Sequence, residues 1–360
     1  MTKKQFLRSI AFFLVVAIML FTLCDLFETE NSTNSNKRFY TYRTLADNTV
    51  DAVIIGTSGT DRYWVPTQAY EEYGIALYPL ATDAFPSWLY IHMIEDALAY
   101  QDIELFLIDM RPFGQDNVNI NTMDVRARRL LDVMSPFSVN RFKAALTTIE
   151  KRYEVDKTAE KFDLSCFLSF VKYHSKWEED DYSIEKNLGE KPHEYMGYFV
   201  SSKATILKTK LDKASYDPEY KRDLDPMSEE ALYELINYVK ENDINVLFVD
   251  TPQVRGYSEM GRANTVYEIL EKEGMNYISY YSNETDNSFI VDLDVETDFY
   301  NNGHVNFYGA TKFTSHLAAY IDKNYDLPDR REDENAAAEW DGVHEILLNK
   351  IHELEEAKKK

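Results

Sequence analysis

Val50-Asp51-Ala52-Val53-Ile54-Ile55-Gly56-Thr57-Ser58-Gly59-Thr60-Asp61 is the stretch on which the fold turns. Its β-branched run, Val53-Ile54-Ile55, reads as a buried strand. The run stops at Gly56, and Gly56 and Gly59 bracket Ser58, allowing close backbone approach and a sharp exit from a sheet. The Ser58 hydroxyl is thereby expected at the carboxyl end of a strand, ahead of a helix beginning near Thr67. Open α/β sheets place their ligands there, and amides at a helix start suit a developing anion. A serine so placed needs a base. Asp298-Phe299-Tyr300-Asn301-Asn302-Gly303-His304-Val305-Asn306 offers His304, just before a helix beginning near Tyr308.

Outward from this stretch, strand and helix alternate. Strands are predicted over 50–55, 75–78, 103–109, 245–250 and 275–279, and helices over 67–73, 87–100, 228–241, 265–273 and 308–320. This alternation specifies an α/β fold, and right-handed crossovers make it a flavodoxin-like three-layer α/β/α sandwich with a five-stranded parallel sheet. The domain is expected to span 50–326, with 114–225 as a helical insertion that caps the carboxyl edge of the sheet. Ahead of it, Lys3, Lys4 and Arg8 precede an apolar run from Ile10 to Leu23, and no small-x-small cleavage site follows. Residues 1–27 therefore read as an uncleaved signal anchor, a transmembrane helix with its N-terminus inside and the rest extracytoplasmic. The polar segment 28–49 reads as a stalk. Residues 327–360 form a helical tail with Trp340, Val343, Leu347, Ile351 and Leu354 at helical spacing. That tail either packs on the domain, is dispensable, or offers a face to a partner.

The bulk properties exclude several classes. A chain of 360 residues that is 44% hydrophobic can bury a large core. Its net charge of −23 argues against nucleic-acid binding. Only Cys24 and Cys166 are present, which leaves no disulfide framework and no cysteine metal site. The histidines lack metal-ligand spacing, and no phosphate-cradling glycine loop occurs, so neither a metal nor a cofactor is expected.

The two blocks around Ser58 and His304 resemble those of the SGNH/GDSL hydrolase superfamily, whose nucleophilic serine follows the first strand and whose histidine precedes the last helix. Gly56-Thr57-Ser58 is similar to the first block and Tyr300 to Ala310 to the last, with the resemblance running from about 50 to 321. The likeness is to the membrane-anchored extracytoplasmic branch, similar to DltD and the alginate acetylation proteins. It implies a cofactor-free acyl-ester hydrolase or O-acyltransferase in the cell membrane, acting on a cell-envelope polymer or its lipid-linked precursor. It also implies a membrane-bound O-acyltransferase as partner. Two features depart from the pattern. The last block reads Asp-x-x-His in the superfamily, but Asn301 holds the aspartate position here, and the glycine and asparagine blocks of the oxyanion hole are not evident.

Acyl transfer needs a nucleophile, a base within hydrogen-bond reach and donors aimed at the oxyanion. Ser58 is the candidate nucleophile and His304 the candidate base. To orient His304, Asp298 ranks first, if its loop doubles back; Asn301 itself or a backbone carbonyl is the alternative, since an amide cannot supply a carboxylate's charge. For the oxyanion, the candidates are the amide of Ser58, a backbone N–H of Ala81 or Thr82, and the guanidinium of Arg111. Arg111 is equally suited to an ion pair with Asp109 or Asp61. The run Lys172-Tyr173-His174-Ser175-Lys176-Trp177 reads either as a carbohydrate or headgroup platform or as a helix end with its tryptophan packed. The competing functional reading is a catalytically inactive scaffold that binds wall polymer or a membrane acyltransferase.

Overall fold

The structure, a computed structural model, describes residues 1–27, 34–115, 119–135, 138–178, 192–201, 203, 205–206, 217–281 and 289–359. The first part of the expected stalk and much of the second half of the insertion lie outside them. In chain order the helices are α1 (Lys3–Leu26), α2 (Asn34–Thr44), α3 (Ser58–Asp61), α4 (Pro66–Tyr73), α5 (Tyr90–Leu98), α6 (Ile120–Leu131), α7 (Val139–Val155) and α8 (Ser169–Tyr173). They continue with α9 (Pro226–Glu241), α10 (Tyr257–Lys272), α11 (Phe307–Asn324), α12 (Glu334–Trp340) and α13 (Val343–Lys358). The strands are β1 (Ala52–Gly56), β2 (Leu77–Ala81), β3 (Leu105–Asp109), β4 (Val246–Asp250) and β5 (Tyr277–Ser279), followed by the short pair β6 (Phe299–Asn301) and β7 (His304–Val305).

β1 to β5 form one parallel sheet in the order β2-β1-β3-β4-β5. Alternate side chains of each strand join two different cores, which accounts for the near-continuous apolar runs. Val53, Ile55, Phe106, Ile108 and Phe248 enter a core with α5, α6, α9 and α10. Ala52, Ile54, Leu105, Leu107 and Leu247 enter another with α4, α11 and α13. Register aligns Gly56 with Ala81 and Asp109 with Val249, so the loops after β1, β3 and β4 leave the sheet along one edge. The strand order reverses at β1, between β2 and β3. There the loops on its two sides diverge and leave a crevice.

Local chemistry sets the helix limits. Pro66 opens α4, and Gly74 closes it in the left-handed region at φ 72°. Asp225 caps α9 by accepting from Met227 and Ser228, so this helix starts before the expected 228. In α10 the Glu259 carboxylate reaches back to the Gly256 N–H at 3.0 Å, which extends the helix upstream of the expected 265.

The segment read as a stalk differs most from expectation. From Asn34 it is a helix docked on β2, with Phe39 and Tyr42 buried. The Arg38 guanidinium is fully buried and donates to Asp61 Oδ2 (2.7 Å), Ala81 O (2.6 Å) and Gly197 O (2.7 Å). The tail is also packed. Trp340 stacks on Tyr70 with centroids 5.4 Å apart, its Nε1 donates to Thr49 O, and Leu347 and Ile351 are buried. Trp340, Leu347 and Ile351 are thus spent on the domain, which supports the packed reading of the tail, while Val343 and Leu354 are half-buried. At the other end, the 22 residues Lys3–Cys24 of α1 are long and apolar enough to cross a membrane. In the insertion, Tyr173 donates to Asp132 Oδ2 at 2.6 Å and Lys172 faces Asp124, so these two side chains are engaged within the protein; the Trp177 side chain lies outside the described residues.

Candidate active site

The turn out of β1 is built by contact with β3. A Cβ at Gly56 would lie 2.2 Å from Asp109 Cβ, so only glycine lets the strands end this close together. Asp109 is fully buried, and its carboxylate is consumed by the turn. Oδ2 accepts from the Thr57 N–H (3.0 Å) and the Thr57 hydroxyl (2.5 Å), and Oδ1 accepts from the Arg111 N–H (3.0 Å). Thr57 in turn caps α3, its Oγ1 accepting from the Gly59 N–H at 3.1 Å. Ser58 is thus the first residue of α3, in a turn whose preceding residue, Thr57, is held by the buried Asp109 carboxylate. From the sequence, Asp109 reads only as a partner for the Arg111 guanidinium. Its position as the last residue of the strand beside β1 was the signal that it could reach the Ser58 turn.

The other half of the site is the β6–β7 hairpin. Asn301 and His304 are direct cross-strand partners, so their side chains emerge on one face. Asn301 Oδ1 lies 2.9 Å from both the Gly303 N–H and His304 Nδ1. An oxygen that accepts from the Gly303 amide requires a proton on Nδ1 of His304 if it is to accept there too. That leaves Nε2 with its lone pair, 2.7 Å from Ser58 Oγ. The tautomer is the one a general base needs. The Tyr300 ring stacks on the imidazole at 5.5 Å and an interplanar angle of 9°, and its hydroxyl accepts from Arg62 at 2.5 Å. Further support comes from Val254 N–H, which donates to Asn302 O at 2.7 Å and ties the hairpin to the loop after β4.

Asp298, the first-ranked orienting group, does not meet His304; Asn301 does. Asp298 stands opposite Asn306, whose N–H donates to its carbonyl, and its buried carboxylate accepts from the Asp294 N–H (2.8 Å) and Lys312 Nζ (2.8 Å). Asp298 therefore anchors the hairpin to α11, and Asn301 orients the histidine. Two oxyanion candidates are likewise displaced. The Thr82 N–H donates to Gly56 O, and Ala81, whose carbonyl accepts from Arg38, directs its N–H to that same side, since both groups of a strand residue point one way.

Arg111 remains. Its Nη1 donates to Gly303 O at 3.0 Å and its Cζ lies 4.9 Å from the centre of the Tyr63 ring. It presses on the residue after the nucleophile, since a Cβ at Gly59 would come within 2.5 Å of Cζ. Its Nε and Nη2 are buried with no hydrogen-bond partner among the described residues. The ion pair expected with Asp61 does not form, because Asp61 is taken by Arg38. Ser58, His304 and Arg111 line one cleft of about 320 Å³ together with Asp83, Gln115 and Arg255. Arg255 is itself held by a bidentate pair to Asp250 at 2.5 and 2.6 Å.

The electrostatics follow from this crowding. Burial, with Arg111, Arg62 and Lys203 adding positive charge nearby, lowers His304 from the usual 6.5 to about 3. The imidazole is therefore neutral at physiological pH and weakly basic, and among the described residues no carboxylate stabilises the cation that forms on protonation. Chemically, the cleft presents a hydroxyl bonded to a neutral, oriented base, with the buried Arg111 guanidinium beside it. Comparison with protein-family models, with curated proteins and with solved structures finds no match to this chain.

Proposed function

We propose that the protein is a serine-dependent acyl-ester hydrolase or O-acyltransferase with the flavodoxin-like three-layer architecture of SGNH/GDSL enzymes. The observation that carries this reading is the 2.7 Å contact of Ser58 Oγ with His304 Nε2, in the tautomer fixed by Asn301. In this account Ser58 Oγ attacks the acyl carbonyl carbon while its proton passes to His304 Nε2. The Ser58 N–H and the charge of the Arg111 guanidinium stabilise the oxyanion. Collapse expels the alcohol, which takes the proton from His304 and leaves Ser58 acylated. Water or an acceptor hydroxyl then repeats the sequence in reverse, giving hydrolysis or transfer.

The apolar helix α1 supports retention in the cell membrane with the domain extracytoplasmic, where a cell-envelope polymer or its lipid-linked precursor is the substrate class. Tethering there raises the effective concentration of a membrane-delivered acyl donor, consistent with a membrane-bound O-acyltransferase as partner. A non-catalytic scaffold is the second reading, favoured by Asn301 in place of a carboxylate and by the lowered basicity of His304. Turnover of p-nitrophenyl acetate by the purified chain separates them. The enzyme reading expects activity that Ser58→Ala and His304→Ala each abolish, with the double variant little worse than either. Absence of turnover with retained polymer binding would establish the scaffold.

A further inference from the structure

α7, the loop after it and α8 carry an apolar surface that the domain leaves uncovered. Val139, Phe142 and Leu146 recur at helical spacing on α7 and are exposed, Val139 at 70% and Phe142 at 55%. Phe162 is 63% exposed, and Phe142 and Phe162 both pack on Phe167, at 5.0 and 5.5 Å between centroids. Beside these rings an open groove of about 290 Å³ runs between Val139, Phe142, Phe167 and Leu168. Solvent exposure of so many large apolar groups in one place marks a contact surface.

What lies next to that surface identifies its occupant. Leu168 adjoins Ser169, whose hydroxyl donates to Cys24 O at 2.8 Å, and Cys24 is buried where α1 meets α8. Cys24 ends the apolar stretch of α1, whose 22 residues span roughly 33 Å at ~1.5 Å each, against a hydrocarbon core of ~30 Å. A helix that crosses the bilayer therefore emerges at the edge of the aromatic cluster. Charge fits the same place. Of the seven Lys and Arg in residues 139–172, Arg141 is buried and Lys143, Lys151, Arg152 and Lys172 pair with Glu95, Glu230, Asp163 and Asp124, which leaves Lys157 and Lys161 as the cations that face outward. Lys157 and Lys161, both exposed, lie over the Tyr153 ring at the far end of α7.

We propose that this face of α7 and the 162–168 loop lies in the headgroup region of the membrane beside α1, seating the domain on the bilayer at two places. Val139, Phe142 and Phe162 enter the lipid boundary while Lys157 and Lys161 meet lipid phosphates. The inference rests on α1 remaining in the bilayer and is independent of the chemistry at Ser58. Its test uses the full chain in nanodiscs of phosphatidylcholine and phosphatidylglycerol, with a fluorophore on Val139→Cys and a quencher on the lipid acyl chains. Phe13→Cys, within α1, and Ile346→Cys, on α13, serve as the two controls. Quenching at 139 comparable to that at 13, with none at 346, is the expected result. A label at 139 that stays as bright as at 346 while 13 is quenched would overturn the proposal, and self-quenching there would assign the face to a second copy instead. If 13 itself is unquenched, the anchor reading fails and the membrane face with it.

Discussion

At the scale of single residues, the site depends on which group holds the Nδ1 proton of His304. An amide oxygen orients the ring but gives the imidazolium no counter-charge, and Arg111 and Arg62 oppose it further. Asn301→Asp is expected to raise His304 basicity, increase turnover at neutral pH, and move the acid limb of the pH–rate profile upward from its low position. Asp298→Asn is expected to leave that limb in place and to cost stability through Lys312 instead. Paired pH–rate profiles of the two variants check this. Stability should follow the same group. The folded-state value lies below the unfolded one, so the unfolded chain takes up the proton first, and stability falls as pH drops from 6.5 toward about 3. Denaturant titrations across that window should show a shallower loss in His304→Gln. The sequence made Ser58 and His304 legible because each sits at a fixed place relative to a strand or helix. Asp298 misled because spacing along a chain does not reveal which face of a hairpin a side chain takes. The pairing of Phe299 with Val305 and of Asn301 with His304 decides that.

At the scale of elements, the Ser58 turn exists because β1 and β3 end in contact. Gly56→Ala forces a methyl into Asp109 Cβ, and the expected destabilisation is ~1–3 kcal/mol or more, typical of overpacking in a close-packed core. Asp109→Ala leaves three donors of this turn unpaired, and thermal melts should show a loss at least as large, since each buried orphan costs about 1–3 kcal/mol. Strand and helix types were readable from β-branched runs and amphipathic spacing, with ends displaced by about a turn or less in most elements. Helix α2 was not readable. Arg38 looks like a solvated stalk residue until the chain brings Asp61, Ala81 and Gly197 around it, and nothing local announces such distant partners.

At the scale of the whole molecule, the tail and helix α2 tie the two ends of the described domain together. Trp340 fills a site between Tyr70 and the chain at Thr49, so Trp340→Ala is expected to cost ~3–5 kcal/mol, measurable by urea denaturation. A stability unchanged by that substitution would mean the tail is dispensable after all. Helix α2 touches β2, and its Arg38 pairs with Asp61 of the serine helix, so the segment from Asn34 onward is built into the wall of the site. The central claim is that Ser58 is an activated nucleophile, and an active-site-directed fluorophosphonate tests it most directly. Mass spectrometry of the labelled full chain is predicted to find the adduct on Ser58, with labelling lost in Ser58→Ala and in His304→Ala. A folded chain that takes up no label, or takes it up equally without Ser58, would contradict the account.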